Sequence, residues 1–217
     1  MSVPSSLIPA IPEKYELRVE GPDDKGVFVA LLRHLGATEG KVDVKIAGGI
    51  DELLNGLRVG LTQGSGVSRL GIVADADDAS QNCWNRIQPI LRSAGYTSVP
   101  SQPAASGVIL TAASLPQVGV WIMPDNSLPG TLEHFAEMLI PANDVLWPVA
   151  QDTVKHVESL DQRFRVVDEM KAMIHTWLAW QKEPGQPIGL SITKLFLKPD
   201  SASAQPLLDW LRLMYDL

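Results

Sequence analysis

The sequence predicts an α/β protein: a mainly parallel sheet with helices on both faces, continued by a helical C-terminal extension. Three observations predict it. Short apolar or alternating runs at 15–21, 41–49 and 68–77 are each followed by an amphipathic stretch, so strand and helix alternate three times. The third run, SRLGIVADAD, is almost unbroken in its apolar character, as a parallel strand buried on both faces requires. Beyond Pro148 the composition turns helical to the end of the chain.

Pro4, Pro9 and Pro12 make the first dozen residues an extended lead-in. YELRVEG then alternates Tyr15, Leu17 and Val19 and is stopped by Gly21 and Pro22. In the following DDKGVFVALLRHLG, Val27, Leu31, Leu32 and Leu35 recur at helical spacing, Asp23 or Asp24 caps the start, and Gly36 ends it. KVDVKIAGG and IDELLNGLRVGL repeat the strand and helix pattern. The third helix spans 79–96, and Pro89 inside it predicts a kink or an early break. GVILTA (107–112) and QVGVWIMPD (117–125) read as a hairpin or as two late strands. A helix over 129–140 is entered through Pro129 and Gly130. In the extension, Val166, Val167, Met170, Met173, Ile174, Trp177 and Leu178 share one helical face, and QPLLDWLRLMYDL closes the chain as a helix. The expected organisation is a single domain over 1–217, with an α/β core at 15–140 and the helical extension at 150–217.

Composition excludes several classes. No apolar run reaches the roughly 18–20 residues that cross a bilayer, and the N-terminal stretch lacks the basic and apolar regions of a secretory signal. A cytoplasmic location without membrane contact is therefore expected. The lone cysteine, Cys83, rules out an internal disulfide framework and reads as buried packing. His34, His134, His156 and His175 have no metal-ligand spacing, and the glycines at 48, 49, 64 and 66 form no phosphate loop. His175, Trp177 and Trp180 sit at helical spacing, which favours core packing over base stacking. A net charge of −7 argues against a broad basic surface for nucleic acid. A carboxylate metal site carries negative charge by design, and a bound cation reverses the local sign.

Ligands of open parallel sheets bind at the carboxyl ends of the strands. There the first strand presents Glu20, and the central strand presents Asp75 and Asp77, two residues apart and on one side if the backbone is still extended. An all-oxygen set of this kind suits Mg²⁺ or Mn²⁺. Each acid also has an ordinary reading: Asp77 or Asp78 as cap of the next helix, and Glu133 as a first-turn glutamate favoured by the helix dipole.

VEGPDD, a second βα unit and then VADADD resemble the signature of Toprim domains, found in topoisomerases, bacterial primases and the overcoming-lysogenization-defect (OLD) nucleases. WIMPDNSLPGTLEHF and HTWLAWQKEPGQPIG are similar to an uncharacterised Toprim-like prokaryotic family of unknown function, and the resemblance covers roughly 15–217. It implies that Glu20 is a general acid or base, that Asp75 and Asp77 are metal ligands, and that Glu20 and Asp24 reproduce the ExxxD spacing of OLD nucleases. Ser127 and Glu133 resemble the later Ser to Glu element of those nucleases, with Asp125 competing for the Glu133 role. A functional lysine is implied as well, and spacing does not choose among Lys155, Lys171, Lys182 and Lys194. The expected function is metal-dependent phosphodiester chemistry on nucleic acid, most simply a nuclease. The rivals are a non-catalytic metal-, phosphate- or nucleotide-binding subunit of a defence or repair complex, and an interaction protein whose acids are remnants. A protein partner or a homo-oligomer fits either rival.

Overall fold

The computed structural model describes residues 13–217, so the expected extended lead-in lies outside the described residues. Five strands form one sheet in the order β2-β1-β3-β5-β4, made of β1 (Tyr15–Val19), β2 (Val42–Ile46), β3 (Arg69–Asp75), β4 (Val108–Leu110) and β5 (Gln117–Met123). All neighbours are parallel except β4, which pairs antiparallel with β5 at the edge. The two late runs are thus adjacent antiparallel strands.

Side-chain alternation along these strands sorts the core into two faces. Leu70, Ile72, Ala74, Val118, Val120 and Ile122 point to α2 (Ile50–Gly60) and α3 (Ser80–Ala94). Leu17, Val19, Val73, Trp121 and Met123 point to the other side. There they join α1 (Pro22–His34), α4 (Leu132–Met138), α5 (Leu146–Asp161), α6 (Glu169–Ala179), α7 (Ile188–Thr193) and α8 (Gln205–Tyr215). Of the C-terminal helices, α8 lies on β3 and β5, while α6 packs on α4 and α5, and α7 packs on α1. Gly71 and Gly119 stand opposite each other on β3 and β5, and with no side chains they leave a slot that Tyr215, Met214 and Trp210 fill. The Tyr215 hydroxyl donates to the Glu16 carbonyl at 2.8 Å and the Trp210 indole to Val108 at 3.2 Å, so α8 is pinned at both ends of its contact.

Several expectations are corrected. The helix containing Pro89 runs unbroken from Ser80 to Ala94 and so does not end early. Pro89 lies on its exposed side, where water can serve the carbonyl that loses its N–H partner. The helix expected from Pro129 starts at Leu132, after the Thr131 cap. Val166 and Val167 belong to a separate 3-10 turn (Val166–Asp168) and are 73% and 74% exposed, while Met173, Ile174, Trp177 and Leu178 are buried as expected. Trp180 is exposed, so only Trp177 of that aromatic pair belongs to the core. Cys83 is buried. No helix among the described residues is long and apolar enough to cross a membrane.

Candidate metal centre

Strand β1 ends at Val19, and Glu20 follows at the lip of the sheet. Its Oε1 accepts the backbone N–H of Asp75 at 2.9 Å, which ties the end of β1 to the end of β3. Asp75 in turn accepts the N–H of Leu132 at 3.1 Å, at the start of α4. Asp24 folds back in the first turn of α1 and accepts the Gly21 N–H at 2.9 Å. Glu133 accepts the Thr131 hydroxyl at 2.8 Å. Carboxylates from β1, α1, β3 and α4 thus gather around Asp75.

Their mutual field is visible in their acidities. Burial first, and then repulsion from Asp24, Glu20, Glu133 and Asp77, pushes the Asp75 carboxyl up to about 8. Burial likewise pushes Asp24 up to about 6, against the pull of the Gly21 N–H and with Glu20 and Glu133 adding to it. Glu20 is also raised, chiefly by burial and partly by Asp77, although the Asp75 N–H opposes the shift.

Asp75 lies between two hollows. One, of about 240 Å³, is walled by Asp23, Asp24, Asp75, Thr131, Glu133 and Lys171 among others. The second, about 190 Å³, holds Asp77, Asp78, Asn82, Cys83 and Arg86. Asp75 and Asp77 both line this second hollow, though not from one extended strand. The turn begins between them: Asp77 has φ +49°, is exposed, and exchanges backbone hydrogen bonds with Gly130 at 3.0 and 2.8 Å. Among the described residues, no three carboxylate, imidazole or thiol groups meet as a ready metal cage. The buried oxygens instead take the nearest backbone N–H, as burial without a donor is costly. The donor set still fits a hard divalent cation in kind, since it is all oxygen, half-buried and crowded with like charge.

Ser127 and Asp125 stay out of this cleft. The Asp125 Oδ1 accepts the Ser127 N–H, the Ser127 hydroxyl and the Leu128 N–H at 3.0, 2.9 and 2.8 Å, which closes a loop turn. Of the four lysines, Lys171 on α6 reaches the cleft, 3.5 Å from Glu133 and 3.6 Å from Asp23. Partial burial works against its ammonium, but Glu133 and Asp23 outweigh this and raise its pKa. Lys194 pairs with Glu183, while Lys155 and Lys182 are exposed and form no ion pair among the described residues. Asp23, Asp168 and Lys171 also line the cleft, and sequence spacing did not single them out. Asp23 is one step from Asp24 in GPDD, a signal that was present; Lys171 has none, because α6 reaches the site only through tertiary packing.

Residues 14–216 match the model of a family described as "Protein of unknown function (DUF3226)". The chain belongs to that family. Among solved structures it is similar to the C-terminal region of the Xanthomonas campestris pv. campestris OLD protein. That match has 14% identity, covers 94% of this chain and 97% of the other, and has a TM-score of 0.49. The C-terminal region of the Burkholderia pseudomallei OLD protein matches at 13% identity, with 94% and 99% coverage and a TM-score of 0.47. No curated protein matches the chain.

Proposed function

We propose that the cleft beside Asp75 is a divalent-metal centre for phosphodiester chemistry on nucleic acid, and that the protein is a nuclease. One observation carries this reading: Glu20, Asp24, Asp77 and Glu133 all contribute to the field on a single half-buried carboxylate, Asp75, beside a cleft that holds one ammonium group. Like charges packed so closely are costly unless a cation offsets them. Mg²⁺ or Mn²⁺ would be held by Asp75 with Glu20, Asp24 and Glu133 nearby, and Asp77 would require its loop to turn inward. When bound, the metal supplies a Lewis acid for phosphate oxygens and a more acidic water. Lys171 would meet the negative charge of a phosphoryl group by giving up its pairs with Glu133 and Asp23, 3.5 and 3.6 Å away. Glu20 fits the general acid or base role that the sequence resemblance implies, and burial raises its pKa above the ordinary carboxylate value.

The test is cleavage of labelled single- and double-stranded DNA and RNA with Mg²⁺ or Mn²⁺, comparing the wild type with Asp75→Ala and Glu20→Ala. Metal-dependent cutting that is lost in both variants supports the nuclease. A second reading, a metal-phosphate or nucleotide-binding module without turnover, is favoured by Lys171 being engaged by two acids and by the net charge of −7. Metal-dependent retention of a nucleotide with no cleavage of any substrate selects it.

A further inference from the structure

Helix α5 buries Ala150 and Val154 against the body of the protein and leaves a second apolar stripe outside. Leu146, Val149, Val157 and Leu160 are 37%, 50%, 44% and 71% exposed. Between them Thr153 is exposed, but its hydroxyl donates to the Val149 carbonyl at 2.7 Å within its own helix, so it adds no polar demand to the stripe. These residues recur at intervals of three, four, four and three, and the order Leu, Val, Thr, Val, Leu reads the same from either end. With Val145 at the helix start, 79% exposed, the patch is on the order of a few hundred Å² per protomer, a size that marks protein contact surfaces.

We propose that this face of α5 pairs with the same face of a second copy of the chain, antiparallel about a two-fold axis at Thr153. That axis sets Leu146 against Leu160, Val149 against Val157, and Thr153 against itself, so the contact is isologous and closes as a dimer. Charge selects the antiparallel over the parallel arrangement. Asp152 and His156 lie one turn apart along one edge of the stripe, both exposed, and neither forms an ion pair among the described residues. Antiparallel pairing brings Asp152 of each chain to the partner's His156, where an imidazole N–H donates to the carboxylate. Parallel pairing would set the Asp152 and His156 edge against the opposite edge of the partner's stripe, leaving that contact unmade, and would align the two helix dipoles unfavourably. The contact is smaller than the roughly 800 Å² per partner of a standard interface, so a reversible dimer in the micromolar range is expected. The pairing does not depend on the metal reading of the cleft.

Sedimentation equilibrium of the full chain tests it, together with Thr153→Cys under mild oxidation. Expected are a dimer that forms with rising concentration, a disulfide-linked dimer from Thr153→Cys, and none from Ser159→Cys at the edge of the stripe. The native Cys83 is buried and should stay silent. Val149→Glu should weaken association at least about tenfold with an unchanged circular dichroism spectrum. Val59→Glu, an exposed position on α2, should not change it. A monomer at all concentrations up to about 100 μM overturns the proposal. So does a dimer that survives Val149→Glu or that Thr153→Cys fails to crosslink.

Discussion

Replacing Asp75 by Asn should stabilise the metal-free protein at neutral pH. The Asp75 carboxyl is raised from 3.8 to about 8, so the folded state prefers it protonated. The sign follows: its contribution to stability is whole below about pH 4, and is lost as pH rises from there through about 8. At pH 7 the chain is about three pH units above the unfolded value and still below the folded one, which costs about 4 kcal/mol at 1.36 kcal/mol per unit. The amide removes the charge and keeps an oxygen that can accept the Leu132 N–H, now made at 3.1 Å by the carboxylate. For a chain of this length, 4 kcal/mol corresponds to a rise in Tm of roughly 8–16 °C. Thermal unfolding in EDTA should therefore show the wild type losing stability from pH 4 up to about 8, and Asp75→Asn losing less, with the slope left by Asp24 ending near pH 6. Mg²⁺ should stabilise the wild type and leave the variant unmoved. An Asp75→Asn protein that is less stable than the wild type at pH 8, or that keeps the same pH slope, refutes the like-charge account of the site.

Because protons compete with metal for Asp75, raised to about 8, and for Asp24, raised to about 6, Mg²⁺ affinity should climb about 30-fold from pH 6.5 to 8.5 by isothermal titration, nearly all of it from Asp75; a flat profile excludes Asp75 as a ligand. Lys171→Ala should cut cleavage by about 10²–10³ while changing stability by less than about 1 kcal/mol, since the lysine is half-exposed. Single-turnover kinetics and urea unfolding separate the two effects, and an active variant removes the lysine from the reaction. In Gly71→Ala, the new methyl would lie 2.8 Å from the Leu17 Cδ1 and closer still to the Tyr215 hydroxyl. Overpacking there should cost about 1–3 kcal/mol in urea unfolding, and a neutral result would mean that α8 is not seated on β3.

The alternation of strand and helix was legible because each central strand carries its apolar run and each helix its own period, both local properties of the chain. The acids at strand ends were legible for the same reason: the end of a parallel strand is where a carboxylate can reach a ligand, and Glu20 and Asp75 do stand there. Pro89 misled because helix breaking depends on whether the orphaned carbonyl faces protein or water, and it lies on the exposed side. Val166 and Val167 misled because helical spacing cannot tell a core face from an exposed one. The short helix α7 gave no period long enough to read.

The sequence by itself determined the α/β class, the order of the elements and which carboxylates the strand ends would carry, since these rest on local pattern and backbone geometry. Only the tertiary structure decided that α8 would close over the glycine slot of β3 and β5, that the strand would turn before Asp77, and that Lys171 would be the lysine in the cleft. Those outcomes depend on contacts between residues far apart in the chain, made where buried polar groups find donors and small residues admit large ones, and no local period encodes them.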